Sequence, residues 1–188
     1  MDTIVMNHLK KKPNLDDFVN DVIEDSILLE LLFEIVSTDQ SSIKYACSKM
    51  IRKISETRPD IIYPYFEVIS HWLTHKNSFI KWDGILTLSN LAKVDVEDKF
   101  NLIYKDYFSL VQDPQMITAA NVIGNAWKIV LAKPECENDI SHRLLEVPDI
   151  TYLYKGEISP ECNYIVCGNV LESFDQYYDV SNNKEVMI

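Results

Sequence analysis

The sequence predicts an all-α protein built by repeating one helical hairpin, and three observations carry that prediction. Glycine is scarce, 4 among 188 residues. Apolar residues run in long stretches between clusters of Pro, Asn and Asp, a pattern that favours helices over short strands joined by tight turns. One phrase is written three times: SSIKYACSKMIRKI (41–54), SFIKWDGILTLSNLA (78–92) and, more faintly, QMITAANVIGNAWKI (115–129). Ile43, Ile80 and Ile117 stand 37 residues apart both times, and matched neighbours keep their character: Lys44 with Lys81, Tyr45 with Trp82, Ile51 with Leu88, Ile54 with Leu91. A period of that length marks stacked supersecondary units.

Taken in order, the first segment, 1–25, carries Asp16, Asp17, Asp21, Glu24 and Asp25 and reads as a solvated acidic cap. Helical pairs follow near 26–57, 59–93, 96–132 and 135–178. The polar breaks TDQS, HKNS and QDPQ precede the three copies and are rich in residues that cap helices or make turns. Within the first copy Ile43, Cys47, Met50 and Ile54 form one helical stripe, repeated by Ile80, Gly84, Leu88 and Leu91. Pro59 suits a first helical turn, where its missing N–H costs nothing. Pro64, further in, predicts a kink or a delayed start. The fourth pair is stretched by an insertion at 148–159, because Cys167-Gly168-Asn169-Val170 echoes Ile123-Gly124-Asn125-Ala126 at a spacing of 44. Its Thr151-Tyr152-Leu153-Tyr154 run is too apolar for a solvated loop, reads as a cap over the last stripe or a contact for another chain, and admits a short strand. Residues 179–188 read as a frayed tail.

Composition narrows the function classes. A chain 47% hydrophobic and 25% charged is ordinarily globular and long enough to bury a substantial core. The formal net charge of -11 works against phosphate backbones and anionic lipid. Cys47, Cys136, Cys162 and Cys167 include no CxxC pair, so reduced thiols are expected in place of a disulfide framework or zinc knuckle. No run of about 18 apolar residues predicts a membrane span, and MDTIVMNHLKKKPN lacks a secretory h-region, so the expected setting is cytoplasmic.

The paired helices, the period of 37, and the polar break followed by Ile-Lys-aromatic resemble HEAT repeats, whose second helix opens with Asp, Val-Arg and a small residue. Lys44 and Lys81 occupy the Arg-like position and Ala46 and Ala120 roughly the small one; Asp83 and Thr118 depart from the pattern. The resemblance covers about 26–178 and implies a right-handed α-solenoid of about four HEAT-like hairpins. Each hairpin would bury the apolar face its neighbour cannot cover alone, and the outer sides of the terminal units should be polar.

In HEAT-like arrays the second helices line the concave side. A wheel with Ile43 and Ile54 inward points Tyr45, Ser48, Lys49, Arg52 and Glu56 outward, and one repeat later Trp82, Ile85, Leu86, Ser89 and Lys93. The partner-binding residues expected from this are Tyr45, Lys49, Arg52, Trp82, Ser89 and Lys93. They would make an aromatic and basic groove for a protein or an acidic peptide. The bland alternative is that Trp82 only packs against a neighbouring repeat.

Catalytic patterns are weak. His71 and His75 lie four apart on one helix but lack the further ligands and the glutamate of a zinc site, and the His-Glu pair of HEAT-like iron hydroxylases is missing. Gly124-Asn125 and Gly168-Asn169 do not follow strands, lack phosphate-loop spacing, and read as small residues at helix crossings. No nucleophile elbow is present. A HEAT-like DNA glycosylase could recruit Trp82, Trp127, Asp83 and Arg52, but the net charge opposes duplex binding. The reading is therefore a non-catalytic scaffold with no cofactor, no metal, no nucleic acid and no membrane partner. Two other readings stay open: an enzyme on the same scaffold, such as a glycosylase or hydrolase, and an assembly subunit that oligomerises through its tyrosine-rich C-terminal unit.

Overall fold

The computed structural model describes residues 15–38 and 42–187, with the side chains of 15–18 and 186 excluded. Among the described residues the chain is all-α apart from one two-stranded hairpin. It divides into two compact units, 1–87 and 88–188. The acidic cap falls partly outside the described residues: 1–14 and the side chains of Asp16 and Asp17 are not described. Among the described residues no helix is long and apolar enough to cross a membrane.

In the first unit, α1 (Leu15–Glu24) buries Val19 and Val22. α2 (Ser26–Thr38) starts where the Asp25 carboxylate accepts the Ile27 N–H at 2.9 Å, a cap on one of the orphan donors of a helix start. α2 packs on α3 (Ile43–Thr57), whose Cys47, Met50, Ile51 and Ile54 are fully buried. Each fully buried Ile or Met contributes about 1.5–3 kcal/mol relative to exposure, so Cys47, Met50 and Ile54 of the predicted stripe anchor this helix, while Ile43 at its head is half-buried. The segment 59–74 is broken as Pro64 requires: α4 (Pro59–Ile62), a tight turn at Tyr63–Tyr65, α5 (Phe66–Ser70) and a second tight turn at His71–Thr74. Pro59 stands in the first turn. Phe33 of α2 stacks on Tyr65, with ring centroids 4.1 Å apart, and lies 6.1 Å from Trp72.

The unit boundary falls inside α6 (Ser78–Leu91). Asn77 starts this helix, its Oδ1 accepting the Phe79 N–H at 3.0 Å. In the second unit, Asp95 caps α7 (Lys99–Ser109) by accepting the N–H groups of Lys99 and Phe100 at 2.8 and 2.9 Å. Lys133 Nζ then sits 3.0 Å from Asp95 and 2.6 Å from Asp98. Burial alone would discourage the Lys133 charge, but the two carboxylates outweigh it and its pKa is raised. α8 (Met116–Ile123), α9 (Ala126–Ala132), α10 (Glu137–Leu145) and α11 (Pro160–Tyr177) complete the unit. α11 lies against both α8 and α9.

The insertion contains a hairpin, β1 (Leu153–Tyr154) paired antiparallel with β2 (Glu157–Ile158). Lys155 and Gly156 both have positive φ, 53° and 88°, the two-residue turn whose twist suits a hairpin. Tyr152 is the anchor of the segment. It is fully buried and its hydroxyl donates to the Val111 carbonyl at 2.9 Å, while the Leu153 N–H donates to Pro114 at 2.9 Å. The run is thus tied down at Tyr152, with Tyr154 and Ile158 left exposed.

Several expectations require correction. Ile117 is 45% exposed, whereas Ile80 is fully buried, so the third copy does not continue the spacing of 37. Its buried positions include Ala119, Ile123, Ala126 and Val130, which follow Ile80, Gly84, Thr87 and Leu91 at a spacing of 39. The reason is composition: the Ile117 register would bury Asn121 and Lys128, and the shifted one buries Ala and Ile instead. The tail is not frayed over 181–187. Ser181 is buried and donates to the Glu137 carboxylate, Asn183 Nδ2 reaches Asn138 Oδ1 at 3.3 Å, and Lys184–Met187 forms a further helical turn against α10. The outer side of α11 is not uniformly polar, since Tyr164, Ile165 and Leu171 are exposed.

The glycines separate into opposite cases. A Cβ on Gly84 would meet the Trp72 Cβ at 2.8 Å, so α6 needs that glycine for close packing. A Cβ on Gly168 would meet nothing within 4 Å, so Gly168 marks no helix crossing among the described residues. Thermal unfolding should show the contrast. Gly84→Ala is expected to destabilise by about 1–3 kcal/mol through overpacking, and Gly168→Ala to stabilise by about 0.5–1 kcal/mol through helix propensity.

Candidate functional site

The start of α6 and the facing side of α3 bring three aromatic rings together in the first unit. Asn77, besides capping α6, donates from Nδ2 to the Tyr45 hydroxyl at 3.0 Å. This bond fixes the Tyr45 ring beside Phe79, with centroids 5.9 Å apart. Phe79 in turn meets Trp82 edge to face at 5.4 Å, a geometry that aromatic quadrupoles favour. Phe79 is 59% exposed, and Tyr45 and Trp82 are half-buried. Lys44 Nζ lies 5.6 Å from the Tyr45 ring centre. Lys49 and Lys76 are exposed.

Directly behind the rings lies a buried carboxylate. Asp83 is 6% exposed. Its Oδ2 accepts the Ser48 hydroxyl at 2.7 Å and its Oδ1 lies 3.2 Å from Arg52 Nη1. Burial pushes the Asp83 carboxyl up; the Ser48 hydrogen bond and the Arg52 and Lys49 charges pull it partly back. Arg52 Nε has no hydrogen-bond partner and stands 4.0 Å from Glu56. The geometry is that of a part-buried ion pair joining α3 to α6.

The six residues expected at a binding surface therefore divide. Tyr45 and Trp82 come together and Lys49 is exposed on the same helix as Tyr45. Arg52 does not present its charge outward, because that charge is committed to Asp83. Ser89 is 1% exposed and offers nothing to a partner. Its neighbours on the wheel explain why: Ile85 is fully buried and Leu86 is half-buried, so this face of α6 is apolar and turns inward. Lys93 is exposed and lies beyond the unit boundary. Sequence reasoning missed Phe79. The signal was present, since Phe79 follows the polar break HKNS and stands three residues before Trp82, on the same helical face.

Other chemistry-bearing groups are satisfied locally. His71 Nδ1 is 2.6 Å from the Glu67 carbonyl, and His75 Nδ1 accepts the Asn77 N–H at 3.0 Å. Among the described residues no three His, Cys, Asp or Glu side chains are grouped to hold a metal. In the second unit, a cavity of about 310 Å³ is lined by Tyr104, Cys136 and Asp139. The Tyr104 hydroxyl donates to Asp139 at 2.6 Å, and Arg143 Nε lies 2.6 Å from the same carboxylate. Burial and Asp139 push the phenol up, and burial with Glu135 pushes the Cys136 thiol up. Both groups are held protonated, which is the opposite of nucleophile activation.

Comparison with protein-family models, with curated proteins and with solved structures finds no match to the chain. The functional reading accordingly rests on the chemistry of these residues.

The Asp83 pair makes a pH-dependent prediction. Asp83 binds a proton more tightly folded than unfolded, so its stabilising contribution is complete at acid pH and is lost as pH rises through the folded value. Removing the Arg52 charge pushes that value higher still. Arg52→Gln should therefore destabilise by about 1–3 kcal/mol at pH 7, through a buried group left unpaired, and by less as pH falls. Adding Asp83→Asn should recover most of the loss, read as Tm against pH.

Proposed function

We propose that the chain is a non-catalytic protein-binding scaffold, and that the Tyr45, Phe79 and Trp82 patch of the first unit is a contact surface for an acidic peptide segment. The observation that carries this reading is the exposure of Phe79, at 59%, within a three-ring cluster held in place by the Asn77 hydrogen bond. Exposed aromatics in fixed geometry are the residues that most often dominate interface energetics. They lose little entropy on binding when already positioned. Lys49 and Lys76 supply positive charge within an otherwise acidic chain, which favours an acidic partner.

The architecture proposed with it is a right-handed α-solenoid of HEAT-like hairpins. The packing of α2 on α3, the buried stripe of α3 and its repetition in α6 support that arrangement. Under this reading Arg52 and Asp83 are positioning residues: their pair locks α3 to α6 and so fixes the distance between Tyr45 and Trp82.

A random peptide library displayed on phage and selected against the full chain tests the proposal. Selected peptides should be rich in Asp and Glu around an apolar residue. Their affinity should fall about tenfold or more with Phe79→Ser, as truncation of a hot spot does, and should fall further with Lys49→Glu. Selected binders that are indifferent to both changes would place recognition elsewhere.

A further inference from the structure

The outer side of α11, with the groove beside it, is a surface that the described residues leave uncovered. α11 buries Cys162, Val166, Val170, Ser173, Phe174 and Tyr177 on its inner side. Tyr164, Cys167 and Leu171 follow one another at spacings of three and four, the interval of a helix–helix seam; Cys167 is half-buried in it. Tyr164 and Leu171 are 75% and 69% exposed. Between this seam and the end of α10 lies an apolar groove of about 300 Å³, whose walls include Leu145, Pro148, Cys167, Leu171, Phe174 and Met187. Gly168 sits in the seam. It weakens the helix, and among the described residues nothing outside its own helix backbone comes within 4 Å of where its Cβ would be. A glycine with no internal use on an exposed apolar face permits close approach from outside.

Charge decides what approaches. α11 carries Glu161, Glu172 and Asp175 and no Lys or Arg. Exposed carboxylates also adjoin the groove in the chain: Glu146 follows Leu145, and Asp149 follows Pro148. The nearby cations are engaged, Arg143 with Asp139 and Lys184 over the Tyr178 ring at 4.8 Å. A second copy of α11 would set these acids against themselves, which like-charge repulsion opposes. A helix with apolar residues at the same intervals and Lys or Arg on its flanks satisfies both the seam and the charge.

We infer that the α11 seam and its groove are a docking site for a basic amphipathic helix of another protein. This surface is separate from the aromatic patch of the first unit and does not depend on it. It is an apolar track rimmed with carboxylates: leucine-sized side chains of the partner enter the groove between Leu145 and Leu171, and its cations meet Glu172, Asp175 and Glu146.

The test uses the full chain and a labelled synthetic helix bearing leucines at three- and four-residue spacing among lysines, followed by fluorescence anisotropy. Saturable binding is expected, weakened about tenfold or more by Leu171→Ser, a loss typical of a buried apolar anchor. The paired change Glu172→Gln with Asp175→Asn should weaken binding and flatten its salt dependence. Leu171 is largely exposed, so Leu171→Ser should retain the parent circular dichroism spectrum. Saturating peptide should also slow alkylation of Cys167 by iodoacetamide and leave Cys136 unaffected. Equal binding by a leucine-free peptide of the same charge, indifference to Leu171→Ser, or an unprotected Cys167 would overturn the inference. So would a dimer of the unliganded chain, seen in sedimentation and lost with Leu171→Ser, because it would assign the groove to a second copy.

Discussion

After its first turn α6 has almost no solvent face, and much of the molecule follows from that constraint. Asp83, Gly84, Ile85 and every residue from Thr87 to Ala92 are buried. A helix enclosed in this way can place apolar residues anywhere, but each of its polar side chains must find a partner inside the protein, since an unsatisfied buried group costs about 1–3 kcal/mol. Asp83 takes Ser48 and Arg52; Thr87 donates to the Asp83 carbonyl at 2.6 Å; Asn90 accepts from Lys128 at 2.8 Å; Ser89 is hydrogen-bonded to Tyr107. Within the first unit the partners of Asp83 stand on α3, and within the second those of Ser89 and Asn90 stand on α7 and α9. The polar residues of α6 therefore dictate what must lie against it more specifically than its leucines do.

The same constraint explains which residues remain for recognition. Arg52 and Ser89 look like surface groups on a wheel, yet both are drawn into satisfying α6 or being covered by it. What stays outside is the first turn of the helix, where Phe79 emerges before enclosure begins, together with the rings it touches. The site is thus an edge effect: a rigid, buried rod exposes an aromatic patch only at its entrance. Pairing between Asp83 and Arg52 makes that entrance stiff, which is what a preorganised contact surface requires.

The second unit handles its end differently. The insertion is stapled by Tyr152 to the turn before α8, and the residues after α11 dock on α10 through Ser181 and Asn183. Both add-ons cover apolar surface near the end of the chain. They leave the outer seam of α11 uncovered, and that seam combines apolar side chains with carboxylates, unlike the mixed-charge cover of an ordinary terminal helix. An end so constructed resists stacking on itself and favours a cationic neighbour.

Helix content, the polar breaks HKNS and QDPQ, the disruption at Pro64 and the buried stripe of α3 from Cys47 to Ile54 were legible in the sequence, because each depends on local chemistry: propensity, capping, the missing proline N–H and a spacing of three to four residues; the break TDQS lies largely outside the described residues. Tyr45 and Trp82 were legible as aromatics of equal phase in two copies; that Phe79 stands between them, meeting both rings, was not. Register in the third copy was not, since shifting from 37 to 39 depends on whether Asn121 and Lys128 or Ala119 and Ile123 fill the available space. The fate of Arg52 and Ser89 was equally hidden: helical phase says which side a residue occupies, and only tertiary structure says whether that side faces water. Sequence by itself determined the helical class and the apolar stripe of α3 from Cys47 to Ile54. The enclosure of α6, and with it the division between structural and exposed polar groups, was decided by packing among residues far apart in the sequence, where the competition for buried partners is settled.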